Sequence, residues 1–496
     1  MSGIKDKTKF NYFSLLLVSA WLIYAVIYVF FGEKVPVNNG FGWDGNIYGS
    51  AVKDFPAKLL NKEFLNLHME RILPSAILYG IFKLFNIGFT NENIIYGFDF
   101  LNILAIFLST ILWIRISKIV QLNQSHEFLG TVAILITAPV LKIIPYDPVL
   151  TDAITFCLGF ITLYGFLTDN KKLMFLALVF ATFIWPVAAL GIPILLIFNK
   201  SKQFEIGESI TLNKWLMIAG IVVLNLMLYY FFFISDNLND QYPAYRRRAP
   251  GQFDVLNVII GILSLDIYIV LAFGFLNKIN IFSAFKKTFA AINIPFLIGC
   301  LLFIVSVRYY FSTFPKGEYM KMSWYIIELF ASQSLQPFSN VIFMVLYFGP
   351  LIYLLMFRWK LVVENANAMG IGFMLFFIAN LIQCFDGESR HAMFFYPFLI
   401  FLALFTLRDV KLNGWFTTFF LITAFVFSKV WFRINTDEFV NSIMNDEVLT
   451  KEVHQRFFWY IGHYMNYKLY LLQTPFVILA GILLYRAYRR RTIGLS

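Results

Sequence analysis

Apolar runs of 18 or more residues recur from one end of this 496-residue chain to the other. As a helix, each is long enough to cross a hydrocarbon core of about 30 Å. Inside lipid the backbone has no water to bond to, and a helix satisfies its N–H and C=O groups within the segment. Composition agrees: 59% of side chains are hydrophobic and 14% charged, against about 25% charged in soluble domains. The sequence predicts an all-α integral membrane protein with residues 1–496 as one polytopic domain.

Windowed hydropathy places spans near 10–31, 94–114, 128–145, 149–167, 173–186, 187–198, 214–235, 255–277, 288–307, 338–357, 362–385, 391–407, 415–432 and 469–485, about 14 transmembrane helices. The fifth and sixth read as a tight hairpin, because Trp185-Pro186 interrupts one run and proline removes a backbone donor. Segment 72–87 is ambiguous. It starts Ile72-Leu73-Pro74 and carries Lys83, so it reads as a span or as an interfacial helix.

Charge decides between these. With 72–87 outside the membrane, both termini lie on one side, and the loops there hold 21 of the 40 Lys and Arg and 7 of the 29 acids. They include Lys5, Lys7, Lys9, Arg115, Lys118, Arg358, Lys360 and Arg486. By the positive-inside rule that face is cytoplasmic. The first helix is expected to be retained, since no small-residue cleavage site follows it. The long external loops then fall at 32–93, 236–254, 308–337 and 433–468. The first carries juxtamembrane helices, 94–200 forms the core spans, and 201–496 holds the later spans and loops.

Several chemistries are excluded. The net charge of +11 comes from basic residues between spans, so nucleic acid is not a partner and membrane lipid is. No GxxxxGK[ST] or strand–helix GxGxxG occurs, so a cytosolic nucleotide has no cradle. Cys157, Cys300 and Cys384 lie in apolar runs with no CxxC. The five histidines form no HExxH or close pair, so a zinc site is not expected.

The candidate residues lie in the outer loops. Gly42-Trp43-Asp44-Gly45 places a carboxylate between glycines, suited to a general base or to a simple Asp-Gly turn. Pro145-Tyr146-Asp147-Pro148 reads either as a helix N-cap or, with Asp152, as binding groups facing the same cavity as Asp44. Asp152 stands about one turn inside the boundary, where an unpartnered carboxylate costs roughly 2.5–3.5 kcal/mol. Arg246, Arg247 and Arg248 are three consecutive guanidinium forks on the side poor in positive charge, suited to a lipid phosphate. Glu388, Arg390 and His391 follow Asp386-Gly387 in one short turn and form either a site or a self-neutralised Glu388–Arg390 pair. The 308–337 loop, with Arg308, Lys316, Glu318, Lys321 and Trp324, reads as an interfacial amphipathic helix in preference to a lid or a donor-binding helix. Asp266, in mid-span, reads as an internally paired acid in preference to a proton relay.

The order of parts resembles the GT-C glycosyltransferases, which take sugars from polyprenyl-phosphate carriers. The likeness is strongest over residues 10–200. Asp147-Pro148 is similar to a Leu-Asp-Pro in the aminoarabinose transferases that modify lipid A. The Trp43-Asp44-Gly45-x-x-Tyr48 and Arg71-Ile72-Leu73 pattern also resembles a set of bacterial membrane proteins of uncertain activity. The resemblance implies Asp44 as catalytic base and Tyr48, Asp147, Asp152 and Glu388 as acceptor- or donor-binding groups. It implies Arg71, Arg246, Arg247, Arg248, Arg390 and His391 around the carrier phosphate. The location it implies is the bacterial inner membrane. The partners would be a polyprenyl-phosphate-linked sugar and a glycan, lipid or protein acceptor, with no soluble cofactor. The family usually shows paired acids where this chain has Asp44 alone, which speaks against metal dependence. Two other functions fit the same architecture: a lipid-linked-saccharide flippase or transporter, and a non-catalytic scaffold that retains the fold.

The charge argument is checked by reporter fusions. A reporter after residue 90 is expected to read as external and one after residue 120 as cytoplasmic. A cytoplasmic signal at residue 90 inverts the assignment.

Overall fold

The computed structural model describes residues 11–198, 200, 202–208, 210–234, 255–317, 329–331, 333, 334, 336–385, 388–444 and 467–489. The regular secondary structure of these residues is helical, with two isolated β-bridges, Phe198 with Ile292 and Ile206 with Ile279, and no strand. Among the described residues, six helices are long and apolar enough to cross a membrane: Tyr12–Phe31, Asn91–Ile119, Thr211–Ile234, Val255–Lys278, Ile294–Ser312 and Leu469–Arg489. Their outward faces are apolar as well. Leu216, Leu226, Leu271 and Leu302 are more than half exposed, which suits a lipid surround and not water. The chain is a helical, multi-pass membrane protein.

The first half is an ordered series. Helix α1 (Tyr12–Phe31) is followed by four short helices, α2 (Gly45–Lys53), α3 (Phe55–Leu60), α4 (Asn66–Met69) and α5 (Leu73–Leu84). At 12 residues and about 1.5 Å of rise each, α5 is about 18 Å long, short of the hydrocarbon core. It packs on α2 and α6 through Leu78 and Phe82, in a cluster with Phe41, Tyr48, Ile94, Phe98 and Val149. Helix α6 (Asn91–Ile119) is the longest described, and it packs most heavily against α9 (Asp152–Leu167). Helices α10 (Lys171–Ala181) and α11 (Pro186–Ile197) pack on one another across the break before Pro186.

Several expected spans are broken. The 128–145 run is α7 (Gln124–Leu135) and a second piece, α8 (Pro139–Tyr146), bent by 45° from it. Pro139 and Pro145 each remove an N–H donor there, and the turn over Pro139–Ile143 is widened to i→i+5. The 338–357 run parts at Gly349, whose φ of +79° needs glycine, and Pro350. The 362–385 run parts at Gly370 (φ +105°), where a Cβ would stand 2.8 Å from the Lys200 carbonyl oxygen. The 288–307 run is two helices, because Asn293 caps Ile294–Ser312 and ends Ile281–Ala291 just before it. Arg308 and the residues up to Ser312 are therefore helical and not loop. Asparagine plays this capping part repeatedly. Asn11, Asn123, Asn170, Asn280, Asn293 and Asn413 each accept an amide of the first helical turn.

The core of the second half is aromatic. Tyr396 is 1% exposed, stacks on Phe348 with ring centres 4.0 Å apart, and donates its hydroxyl to the Ala133 and Phe348 carbonyls. Two residues before it ends the short turn Ser389–Phe394, which lies directly on α9. Gly159 makes that approach feasible: a Cβ there would sit 2.4 Å from the Phe394 carbonyl oxygen. Gly159→Ala is expected to force the turn off α9, with a loss of about 1–3 kcal/mol of the kind overpacking causes. A lowered melting temperature of the detergent-solubilised protein checks this; an unchanged one removes the close packing.

Candidate functional site

Three pieces of chain meet at one end of the bundle: the loop leading into α2, the crossover from Tyr146 to Asp152, and the turn at Glu388–His391. The first is wound tightly. Asn38 and Asn39 (φ +51° and +55°), Gly40 and Gly42 (+90° and +74°) take left-handed conformations, which asparagine and glycine tolerate best. Gly42 N–H donates to the Val37 carbonyl and Asn38 Nδ2 to the Gly42 carbonyl. The loop thereby lies against Asp147: a Cβ at Gly42 would stand 2.6 Å from Asp147 Oδ1.

Asp44 opens α2, its carbonyl accepting the Ile47 amide at 3.1 Å, but its side chain makes no capping bond. The carboxylate turns instead to Arg390, whose Nη2 is 3.4 Å from Asp44 Oδ2 across 346 residues of sequence. Arg390 Nε donates to Glu388 Oε2 at 2.5 Å, and His391 Nε2 lies 3.6 Å from the same oxygen. Of the two readings of the 388–391 turn, the structure shows the pairing. Glu388 and Arg390 do pair, and Arg390 still reaches outward to the Asp44 carboxylate, which is 46% exposed.

The crossover overturns the cap reading of Asp147. It ends the short Ile144–Tyr146 helix, and α9 begins five residues on with Thr151 at its cap. The Asp147 carboxyl is buried and its Oδ1 has no hydrogen-bond partner among the described residues; the same is true of Asp152 Oδ2. Burial pushes the Asp147 carboxyl up to about 8, Arg390 opposing the rise and Asp152 and Asp44 adding to it. Carboxyls in such surroundings are held neutral at pH 7 and serve as donors.

Around this pair lies a tier of rings and cations. The Arg71 guanidinium sits 4.8 Å over the Trp185 ring, and that ring is 5.5 Å from His391. Tyr48 is buried in the α2–α5–α6 cluster with its hydroxyl in bonding reach of Arg71. Burial raises the Tyr48 phenol, Arg71 opposing and Asp44 reinforcing. Burial lowers the His68 imidazole, with Asp44 opposing and Arg71 reinforcing. Arg71, Arg390, His391 and Glu388 are all within electrostatic reach of Asp152.

Of the residues expected from sequence, Asp44, Tyr48, Arg71, Asp147, Asp152, Glu388, Arg390 and His391 are brought together. Arg246, Arg247 and Arg248 lie outside the described residues, as does the whole 236–254 loop. Sequence reasoning missed three contributors. Trp185 was legible only as a helix break, His68 as a solitary histidine, and the bracing pair Lys34–Asp99 not at all. An aspartate inside an apolar run is itself a signal of a partner, and Asp99 is such a residue. Arg308, expected in a loop, is ion-paired with the buried Glu70. Asn66, two residues before His68, accepts the Gly317 amide and donates its own to Pro315. Among the described residues, no three His, Cys, Asp or Glu side chains are grouped to hold a metal ion. No family of known proteins, no curated protein and no solved structure matches this chain.

A raised acid pKa in the folded state means that folded protein holds a proton the unfolded chain has lost. The cost appears as pH rises above about 3.8 and is complete near 8. Asp147→Asn is therefore expected to flatten the fall in stability between about pH 4 and 8, and to be more stable than the parent at pH 8. Melting curves across that range check it. Parallel curves for the two proteins mean that Asp147 ionises normally.

Proposed function

We propose that this protein is a membrane glycosyltransferase of GT-C type, moving a sugar from a polyprenyl-phosphate carrier to an acceptor hydroxyl. The observation that supports it most is the Asp44–Arg390 pair beside the buried Asp147 carboxyl, three groups from distant parts of the chain at one end of a helical bundle. The chemistry needs a base for the incoming hydroxyl, cations for the departing phosphate and surroundings poor in water. Asp44 takes the acceptor proton as the hydroxyl oxygen bonds to the sugar carbon. The bond from that carbon to the carrier phosphate oxygen breaks, and the phosphate leaves with its charge met by Arg71 and Arg390. Arginine forks suit this because they bind phosphate oxygens bidentately, and fixed charges act strongly in a site of low dielectric.

The pairing gives the reading an internal logic. Arg390 holds Asp44 at 3.4 Å, longer than a good charge-assisted bond of about 2.7–2.9 Å. A carrier phosphate would draw Arg390 toward itself and release Asp44 to accept a proton. Asp147, neutral at pH 7, would donate a hydrogen bond to a sugar or acceptor oxygen, with Asp152 and Glu388 lining the same space. Arg246–Arg248 complete the proposal as further phosphate contacts. The sidedness read from charge would put this end of the bundle on the extracytoplasmic face.

Purified protein offered a panel of polyprenyl-phosphate sugars tests this through release of polyprenyl phosphate. Asp44→Asn keeps shape and hydrogen bonding but cannot take a proton. It is expected to slow release by about 10²–10⁴-fold with carrier binding nearly unchanged, since the loss falls on the transition state. Near-normal turnover in this variant removes Asp44 from the mechanism and makes Asp147 the candidate base. No release by the parent protein with any donor, together with normal folding, favours the scaffold function.

A further inference from the structure

Away from the site, a cavity of about 1100 Å³ runs along the last helix, Tyr467–Arg489. Its walls come from that helix, the Val255–Phe273 helix and the two halves of the span broken at Gly349 and Pro350. One end lies at Pro337, Cys384 and Tyr470, the other at Phe357, Arg486 and Arg489. From Tyr470 to Arg489 the helix rises about 28 Å, at 1.5 Å per residue. The cavity is thus an elongated groove with an arginine pair at one end.

Its walls are apolar in function as well as in composition. The Tyr353 hydroxyl donates to the Val477 carbonyl, that of Thr474 to the Tyr470 carbonyl, and that of Tyr470 to Pro337. With those donors committed inside the protein, the groove offers hydrocarbon to whatever enters it. Ile478 and Ile482 line it and are 56% and 46% exposed, so it opens on the lipid-facing side of the helix. Glycine at 481 brings the helix against Tyr353, whose ring would meet a Cβ at 2.9 Å.

The basic end has a different chemistry. Arg486 and Arg489 are exposed and one turn apart, and Arg489 stacks on Tyr485 at 5.3 Å. Tyr485 in turn packs edge-on against Phe357 at 5.1 Å. Aromatic rings beside arginines mark the level of lipid headgroups. Basic pockets between membrane helices bind anionic headgroups, because guanidinium forks match phosphate oxygens.

We infer that this groove is a binding site for an anionic glycerophospholipid, its acyl chains along the Tyr470–Ile482 wall and its phosphate on Arg486 and Arg489. The occupant is anionic because the only charged side chains at the cavity wall, among the described residues, are these two arginines. It is a two-chain lipid because the volume exceeds the usual range of small-molecule pockets, about 300–1,000 Å³, and the lining is hydrocarbon over the length of a leaflet.

Full-length protein, delipidated in detergent, is titrated with phosphatidylglycerol and with phosphatidylcholine of the same acyl chains, and bound lipid is counted by native mass spectrometry. Phosphatidylglycerol is expected to bind at least tenfold more tightly. The double variant R486Q/R489Q is expected to lose that preference and keep its melting temperature, since both side chains are exposed. Ile478→Trp, which places a large ring in the groove from an exposed position, is expected to weaken both lipids by a similar factor. Equal binding of the two lipids to the parent protein overturns the inference. So does undiminished phosphatidylglycerol binding in R486Q/R489Q. Full competition by a polyprenyl phosphate, with no preference for phosphatidylglycerol, assigns the groove to a carrier tail instead and equally overturns it.

Discussion

Everything at the site hangs on the crossover from Lys142 to Asp152, and that crossover is held by two ion pairs. Lys34 donates to both Asp99 oxygens and to the Pro145 carbonyl. Glu33 bonds to Lys142 and also accepts the amides of Ile434 and Asn435. Asn435 closes the circle, donating to the Lys34 carbonyl and accepting the Tyr146 hydroxyl. A backbone bent and interrupted by two prolines has carbonyls with no helical partner, and a group left unpaired at such depth is costly. These side chains supply what the helix gave up. Breaking a buried pair costs about 3–5 kcal/mol, because the remaining charge stays behind.

The consequence is a shelf that holds Asp147 buried without a cap to satisfy. A continuous helix through 124–146 would have carried the chain past this point. The bend turns it toward the loop of α2, and glycine at 42 lets the two backbones close on the carboxyl. The opposite wall is set by Gly159, which admits the 389–394 turn onto α9. Among the described residues, Arg390 is then the cation that reaches Asp44, Glu388 and the field of Asp147 together. Its charge explains why several carboxyls can be gathered there: mutual repulsion and burial both favour the neutral acids, and a guanidinium opposes both.

Much of this was legible. The apolar runs gave helices, Trp185-Pro186 marked a real break, and Asp44, Asp147, Arg390 and His391 stood out because ionisable residues are scarce in such a chain. The Asp-Gly turn reading of Asp44-Gly45 gave way to a helix start, with Asp44 at the cap position of α2, and said nothing of where the carboxylate points. The asparagine caps were present as a repeated sign before Phe13, Ser125, Leu173 and Phe416 and would have sharpened several helix starts. What hydropathy windows miss is the interruption inside an apolar run. Gly349-Pro350, Gly370 and Asn293 leave the mean hydropathy high while ending a helix.

The sequence by itself determined the class of protein and its local geometry: an apolar helical chain in lipid, broken where proline and glycine forbid continuity and started where asparagine offers an acceptor. These are short-range effects, fixed by a residue and its near neighbours. Only the tertiary structure decided that Asp44 meets Arg390, that Arg71 lies on Trp185 beside His391, and that Asp147 is buried without a cap. Those depend on contacts across as many as 346 residues, and on the desolvation that such contacts impose. Charge interactions are weak and unspecific until burial lowers the dielectric around them, and burial is a property of the packed bundle alone.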